Sequence, residues 1–191
     1  TSDSYGSSSA TRDVIHGFDW TEDIIAISAT NVSYFDPSVH VSLTAQTALA
    51  DITKYDFLAG FNFNNDGDTT DSGDLALWMA ETASTNTGLS LATLLSRVSY
   101  DLTGTSGADT LVGGALGDRL SGGAGADVLI GGGGADTYVF AAGDTTLAVS
   151  GANVTGYDTI SGTLNLTDSD SNTQNHDVID LAGSPTVAKD V

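Results

Sequence analysis

The chain has 191 residues, of which 25 are acidic and 5 are Lys or Arg, and its formal net charge is −20 at pH 7. This excess of negative charge argues against nucleic acid and anionic membrane surfaces as partners. The sequence has no cysteine, which excludes disulfide bonds and cysteine-ligated zinc. All acidic residues except Glu22 and Glu81 are aspartate, a short side chain that favours turns.

Residues 1–11 are polar and contain no signal-peptide core, and no apolar run approaches the length of a membrane-spanning helix. We therefore expect no membrane insertion. The following segment, 12–28, is rich in β-branched residues and predicts two short strands around a turn at 19–22. Its apolar positions are Val14, Ile15, Phe18, Ile24, Ile25 and Ile27. An ordinary β-hairpin and the end of a larger β structure are both compatible with this pattern.

Residues 31–103 give weaker signals and predict a small mixed α/β insert. A strand is predicted at 38–43, where polar and apolar residues alternate. The segments 44–52 and 56–61 fit either a helix or a strand.

Two helices are predicted in the second half of this insert, one from Asp74 and one with Ser90 as its N-cap. Each would carry apolar residues on one face at a spacing of three and four residues. These residues are Leu75, Trp78 and Met79 in the first helix and Leu91, Leu94, Leu95 and Val98 in the second.

A loop rich in Asp and Asn, residues 62–74, precedes the first predicted helix and is a candidate cation site. It resembles the first half of an EF-hand or dockerin calcium loop, with ligands at positions one, three and five, glycine at six and a backbone carbonyl at seven. The candidate ligands are Asn62, Asn64, Asp66 and Asp68. Position twelve is Gly73 rather than a bidentate glutamate. The alternative is an Asx-rich turn that caps the helix at Asp74.

Residues 104–139 are four consecutive nonapeptides with one pattern. Glycine dominates the first, second and fourth places, Asp holds the sixth, and a large apolar residue holds the eighth. The sixth places are Asp109, Asp118, Asp127 and Asp136, and the eighth places are Leu111, Leu120, Leu129 and Tyr138. A flexible glycine-rich linker is the alternative, but linkers lack phased Asp and Leu residues.

Each nonapeptide fits a glycine-rich turn of six residues followed by a three-residue strand. If two repeats complete one turn of a parallel coil, residues 18 positions apart are stacked, so Asp109 lies over Asp127 and Asp118 over Asp136. Stacked carboxylates repel, and turn carbonyls point into the same gap. A hard cation that prefers oxygen ligands relieves the repulsion, and Ca²⁺ suits loose geometry better than Mg²⁺.

The candidate calcium ligands of the repeats are therefore the sixth-place aspartates and the turn residues that offer carbonyl oxygens. They are Gly104, Ser106, Gly107 and Asp109; Gly113, Ala115 and Asp118; Gly122, Ala124, Gly125 and Asp127; and Gly131, Gly133, Gly134 and Asp136. In the second repeat Leu116 replaces the fourth-place glycine, so a distorted turn is expected near Asp118.

These nonapeptides resemble those of the RTX family, bacterial proteins exported by type I secretion. The resemblance implies a parallel β-roll with calcium between its turns, folding after export, and a secreted, extracellular or cell-surface location. It extends to 12–28, which is similar to the cap after an RTX roll and implies another roll upstream of Thr1. Asp158–Ile160 and Asp177–Leu181 repeat the cap pattern, with 167–176 as a polar inserted loop.

The predicted fold class is mainly β: a parallel β-roll of calcium-binding nonapeptide repeats with flanking β caps and a small mixed α/β insert. The predicted domains are a β cap at 1–30, the insert at 31–103, the roll at 104–140 and a C-terminal β cap at 141–191.

No catalytic motif is found in the sequence, and we expect no enzyme. The three histidines, His16, His40 and His176, lie far apart and outside any HExxH motif, and there is neither a G-x-S-x-G elbow nor a P-loop. The expected function is calcium-dependent folding in a structural or adhesive protein, with self-association into a surface layer or filament. The alternative is the secretion and stabilising module of an extracellular protease, lipase or polysaccharide epimerase.

Overall fold

The computed structural model describes residues 14–45, 57–67, 73–80, 89–141, 143–144, 148–150, 153–155, 157–165 and 176–182. These residues are mainly in β-strands, and they contain both parallel and antiparallel sheets. The chain divides into two compact units. Unit 1 comprises Thr1–Ile25 and Phe35–Val98, and unit 2 comprises Ala26–Tyr34 and Ser99–Val191.

The secondary structure in the described ranges consists of many short strands and two short helices. The strands are β1 (Val14–His16), β2 (Ile25–Thr30), β3 (Tyr34–Phe35), β4 (Val41–Ala45), β5 (Phe57–Phe61), β6 (Leu75–Ala80), β7 (Val98–Thr103), β8 (Thr110–Val112), β9 (Arg119–Ser121), β10 (Val128–Ile130), β11 (Thr137–Ala141), β12 (Ala148–Ser150), β13 (Asn153–Thr155), β14 (Thr159–Ile160) and β15 (Val178–Ala182). The helices are α1 (Pro37–His40) and α2 (Leu91–Leu95).

Unit 1 is built on a four-stranded sheet of order β1-β6-β5-β4. Strands β4, β5 and β6 are antiparallel neighbours, and β1 runs parallel to β6. Its core is aromatic: the ring of Phe63 stacks on Phe35 at a centroid distance of 4.8 Å and on Phe61 at 6.3 Å. Trp78 and Met79 of β6 are also buried. The hydrophobic effect thus accounts for the cohesion of this unit.

The helix predicted from Asp74 is wrong, because these residues form strand β6. Leu75 pairs with Phe61 of β5, and residues 76–79 are buried on both faces of the sheet. A strand covered on both sides is apolar throughout, and a short apolar run also satisfies the helical spacing.

The strand predicted at 38–43 is only partly correct, since its first half is helix α1. Asp36 is the N-cap, its side chain accepts a hydrogen bond from the Ser38 N–H at 2.8 Å, and Pro37 follows at the first helical position. The helix ends at His40, and strand β4 begins at Val41.

The helix predicted from Ser90 is confirmed: the Ser90 hydroxyl accepts a hydrogen bond from the Thr93 N–H. It is shorter than expected, because it ends at Leu95 and Val98 begins β7. The undecided segment 56–61 forms β5 from Phe57 onwards. Of the segment 44–52, the structure describes only the first two residues, which end β4.

The strands predicted within 12–28 are β1 and β2, and they do not form a hairpin. Asp19 turns the chain between them, because its carbonyl accepts hydrogen bonds from the Glu22 and Asp23 N–H groups. Strand β1 belongs to the sheet of unit 1, whereas β2 pairs with β7 in another sheet.

Unit 2 contains two sheets between which the short strands of the nonapeptides alternate. One has the order β14-β10-β8-β3 and the other β15-β11-β9-β7-β2. Leu129 pairs in parallel with Leu111, and Tyr138 with Leu120. The predicted 18-residue stacking is therefore confirmed.

The core of unit 2 consists of two narrow files of eighth-place side chains, one from each sheet, and all four side chains are fully buried. Leu102 of β7, nine residues before Leu111, precedes the repeats and pairs with Leu120. Ile160 and Ile179 continue the two files after them. The stacked structure is thus longer than the four nonapeptides. Between these ends, β12 and β13 form an antiparallel hairpin.

Candidate metal centre

The sixth-place aspartates form two buried ladders. The Asp109 N–H donates to Asp127 Oδ1 at 2.8 Å, and the Asp118 N–H donates to Asp136 Oδ1 at 3.0 Å. All four side chains are between 1% and 4% exposed. Each turn is therefore joined to the turn 18 residues away through a carboxylate, as the predicted pairing requires.

The second carboxylate oxygen is used differently in different turns. In the first two turns it accepts a hydrogen bond from the second-place N–H: Thr105 to Asp109 Oδ2 and Gly114 to Asp118 Oδ2, both at 2.5 Å. In the third turn, Asp127 Oδ2 is buried and has no hydrogen-bond partner among the described residues. A buried carboxylate oxygen without a donor is costly unless a cation binds it.

The first-place glycine of each turn is required by close approach. A Cβ added at Gly122 would collide with the Asp127 side chain, and one at Gly131 with Asp136. The turns also rest on the carbonyls of the turn below, since Gly123 lies against the Thr105 carbonyl and Gly125 against the Gly107 carbonyl. The result is a stack of backbone oxygens beside a ladder of carboxylates.

The turns fall into two conformational pairs. In the third and fourth turns the second- and fourth-place glycines have positive φ, for example +88° at Gly123 and +144° at Gly125. In the first two turns no residue has positive φ. Leu116, at the fourth place of the second turn, has an ordinary backbone conformation. The first turn has Gly107 at the same place and also lacks positive φ. Leu116 alone therefore does not explain why the first two turns differ from the last two.

Burial and like charge oppose ionisation of the ladder. Burial raises the pKa of Asp118 to about 7, hydrogen bonds from the Gly114 and Tyr100 N–H groups oppose the rise, and the Asp136 charge adds to it. Burial raises the pKa of Asp136 to about 6 against a hydrogen bond from the Asp118 N–H, with Asp177 adding to the rise. At neutral pH these carboxylates are poised to exchange a proton for a cation.

Burial also raises the pKa of Asp127, opposed by the hydrogen bond from the Asp109 N–H. Three further carboxylates add to this rise by their charge: Asp158, Asp109 and Asp144. Asp118 and Asp136 are each acted on by one such carboxylate, so Asp127 is the more crowded by like charge of these three ladder residues.

These donors fit a hard cation that takes many oxygens. The described residues contain no cluster of three or more His, Cys, Asp or Glu side chains that could hold a metal. Most ligands would therefore be turn carbonyls with one or two carboxylates, as suits Ca²⁺ with six to eight oxygens and not a tetrahedral Zn²⁺ site.

Both ladders extend beyond the repeats, which the sequence interpretation missed. At one end the Tyr100 N–H donates to Asp118 Oδ1 at 2.7 Å, so Tyr100 occupies the place of an aspartate. At the other end Asp158 Oδ1 accepts from the Asp127 N–H and Asp177 Oδ1 from the Asp136 N–H, both at 3.0 Å. The sequence signal for Asp158 and Asp177 was the Asp-x-Ile pattern, which we had interpreted as part of the β caps.

The loop 62–74 lies in unit 1 and joins the antiparallel strands β5 and β6. The alternative of a helix cap at Asp74 is therefore wrong; Asp74 Oδ1 instead accepts from the Phe63 N–H at 2.9 Å. Asn64 and Asp66 are exposed and hydrogen-bonded to each other, whereas Asn62 is buried. Asp68 lies outside the described residues. Calcium in this loop stays a prediction.

One residue near this loop was not predicted. The His40 ring is buried, and its Nε2 lies 2.9 Å from Asn65 Oδ1, while its Nδ1 accepts from the Asp36 N–H. These contacts give His40 a structural role in unit 1.

Residues 103–138 and 112–147 match the family model of the RTX calcium-binding nonapeptide repeat, in four copies. The chain carries RTX calcium-binding repeats. The matched RTX block covers less than half of the chain and includes all four aspartates of the predicted ladders. No curated protein and no solved structure matches the chain. Among the described residues, no helix is long and apolar enough to cross a membrane.

Proposed function

We propose that this chain is a calcium-dependent folding module of a secreted bacterial protein, with a structural, adhesive or self-assembly role at the cell surface. The observation that carries the proposal is the pair of buried aspartate ladders inside the RTX repeats. The proposal includes closure of 104–140 into a β-roll, with 1–30 and 141–191 as β caps and 31–103 as an insert. It includes no catalytic step.

Calcium would supply positive charge between stacked turns, and the chain supplies the oxygens. Asp109 with Asp127, and Asp118 with Asp136, would each hold an ion together with carbonyls of their turns. The first-place glycines keep the backbone close to the carboxylates.

The calcium gradient between cytosol and exterior would make folding conditional on export. Extracellular calcium modules bind with dissociation constants of about 10⁻⁴–10⁻³ M. At ten times that constant, each site present only in the folded state adds about 1.4 kcal/mol. Two such sites would add about 3 kcal/mol, a large share of a typical stability of about 5–15 kcal/mol. With little free calcium, this stabilisation is lost and carboxylate repulsion remains.

Calorimetric titration of the chain with Ca²⁺, with Mg²⁺ as the matched control, tests the proposal. We expect saturable calcium binding accompanied by a gain of β signal in far-UV circular dichroism, and neither effect with Mg²⁺ at the same concentration. Absence of binding at 10 times the upper constant, about 10⁻² M calcium, would refute the proposal.

The surface role needs its own measurement, because an enzyme's secretion module would bind calcium equally well. Sedimentation and electron microscopy in calcium should show ordered layers or filaments. A chain that binds calcium and stays monomeric would favour the secretion and stabilising role.

A further inference from the structure

The dipeptide Asp66-Gly67, in the loop between β5 and β6, differs chemically from the rest of this aspartate-rich chain. Asp66 is the only aspartate that is followed by glycine, and the chain has no Asn-Gly pair. In an Asp-Gly pair the side-chain carboxyl group and the next backbone nitrogen can join into a five-membered ring. Glycine has no Cβ that would hinder this approach.

The structure leaves this pair accessible. Both residues are exposed, and a Cβ added at Gly67 would meet no atom within 4 Å. Among the described residues, none accepts a hydrogen bond from the Gly67 N–H. The Asn64 side chain donates to Asp66 Oδ2 at 3.1 Å, and this contact is exposed to solvent. Little local opening is therefore needed to bring the carboxyl group to the nitrogen.

The ladder aspartates are in the opposite situation. Asp127 and Asp136 are buried, and the backbone nitrogen that follows each of them is already engaged. The Val128 N–H donates to the Asp109 carbonyl at 2.9 Å, and the Thr137 N–H donates to the Asp118 carbonyl at 2.7 Å. Val128 and Thr137 are also β-branched, so their side chains restrict the approach. The repeats are thus protected against the reaction to which Asp66 is open.

We propose that Asp66 is a site of spontaneous isoaspartate formation in the folded protein. The Gly67 nitrogen bonds to Asp66 Cγ, and its proton leaves with the carboxyl hydroxyl group as water, which gives a succinimide. A water molecule then opens the ring. Addition at the side-chain carbonyl restores aspartate, and addition at the main-chain carbonyl gives isoaspartate. The sequence of steps needs no reagent except water.

The modification would change the loop in which it occurs. Isoaspartate adds a methylene group to the main chain and shortens the side chain by the same group. The loop is held on both sides of Asp66, because Asn65 Oδ1 lies 2.9 Å from the Nε2 of the buried His40 ring and Asp74 Oδ1 accepts from the Phe63 N–H. The added methylene would therefore displace the carboxylate from position five of the predicted calcium loop.

Prolonged incubation of the full chain at neutral pH, followed by digestion and mass spectrometry with fragmentation, tests the proposal. EDTA is present so that no cation holds the Asp66 carboxylate. Asp180 is the internal reference, because it is exposed but is followed by leucine. We expect succinimide and isoaspartate to form at Asp66 at least about tenfold faster than at Asp180, since only glycine lacks a Cβ. Equal rates at the two residues would overturn the proposal.

The same chain in urea tests whether the fold leaves the pair open. The rate at Asp66 in the native chain should lie within about tenfold of the rate in urea, because little local opening is required. A greater slowing would show that the native loop protects the pair, and the proposal would be wrong.

Asp66→Glu is the matched variant. It keeps the negative charge, but ring closure would need a less favourable six-membered ring, so the isomer should disappear while the circular dichroism stays that of the wild type. An isomer that persists in Asp66→Glu would come from another residue and would contradict the assignment. None of these outcomes depends on calcium binding by the repeats, so the proposed function is tested separately.

Discussion

The two units of this chain bury different kinds of side chain. Unit 1 is closed by stacked phenylalanine rings and the apolar strand β6. Unit 2 is closed by two narrow files of side chains, Leu111 with Leu129 and Leu120 with Tyr138, and beside them lie five buried aspartates. These are Asp109, Asp118, Asp127, Asp136 and Asp177. A core of rings is stable on apolar burial alone, whereas a core flanked by buried carboxylates needs protons or cations to offset desolvation and repulsion.

The difference teaches that one chain can combine an unconditional fold with a conditional one. Unit 2 has short strands and a narrow core, so each rung contributes little apolar burial, and its ladders add an electrostatic cost. We therefore expect folding of unit 2 to depend on calcium, and the stability of unit 1 not to depend on the calcium bound at the ladders.

Gly122→Ala should have the largest effect, because its new Cβ would collide with the Asp127 side chain and no flexible group can yield without breaking the ladder. We expect unit 2 to lose about 4 kcal/mol of its free energy of unfolding, measured by urea denaturation in calcium. Gly107→Ala is the matched control. Its nearest contact would be the Thr105 hydroxyl at 3.6 Å, and its φ is not positive, so it should change little. Equal effects of the two substitutions would contradict the close approach.

The effect of Asp118→Asn on the stability of unit 2 should have opposite signs with and without calcium. In saturating calcium it removes a ligand and should cost unit 2 about 1.4 kcal/mol or more. In EDTA it removes a buried charge that repels Asp136, so the urea midpoint should rise. A loss of stability of the same size in both conditions would mean that Asp118 acts only through its hydrogen bonds to the Gly114 and Tyr100 N–H groups.

The pH dependence of the stability of unit 2 should also have opposite directions with and without calcium. The folded-state pKa values of Asp118 and Asp136, about 7 and about 6, lie above the ordinary aspartate value of 3.8. Their contribution to stability is therefore fully present below about 3.8 and is lost as the pH rises through 6 and 7. In EDTA the urea midpoint should be higher at pH 5 than at pH 8.

With calcium present, protons compete with the ion, and the apparent affinity should fall about tenfold per pH unit for each proton displaced below these pKa values. Calorimetry in buffers of different ionisation enthalpy would detect the released protons. The double variant Asp118→Asn/Asp136→Asn is the control and should flatten both profiles. A wild-type midpoint that rises with pH in EDTA would contradict the assignment.

The smallest effect on stability is expected from a substitution in unit 1, in the loop 62–74. Asn62 is 6% exposed and its Oδ1 has no hydrogen-bond partner among the described residues, which suits a cation bound in the loop 62–74. Asp66→Asn should then lower the calcium stoichiometry by one and change the stability of unit 1 by about 1 kcal/mol or less. Unchanged stoichiometry would leave the loop as an Asx-rich connection between β5 and β6.

The stacked part of unit 2 could be predicted because its period is visible. Nine residues separate Leu111 from Leu120, and twice this spacing identifies both the aspartates that are ladder partners and the apolar side chains that stack in the core. The same spacing extended backwards would have found Leu102, with Tyr100 in the place of Asp. Asp158 and Asp177 were not recognised as ladder members because insertions break the nine-residue period before them. Only the strand pairing in the structure shows that they are in register with the repeats.

Unit 1 was harder to predict because its signals are local and ambiguous. The run Leu75–Ala80 is apolar at every helical position and at every strand position, so only its pairing with β5 decides. Helix α1 was recognisable in principle, since Asp36 and Pro37 form an N-cap followed by the preferred first residue. The open oxygen of Asp127 could not be predicted, because it depends on the conformation of one turn.

The most direct test of the central claim is hydrogen exchange measured by mass spectrometry, in EDTA and in calcium. Both measurements are made at about pH 7.5, in the neutral range where most proteins are stable. The account predicts that peptides from 104–140 exchange quickly in EDTA and become protected in calcium. Peptides covering 57–61, 75–80 and 89–97 should be protected in both conditions, with at most the small calcium effect expected from the loop 62–74. Protection of 104–140 that is equal in the two conditions, or that changes in parallel with unit 1, would contradict a calcium-dependent fold confined to unit 2.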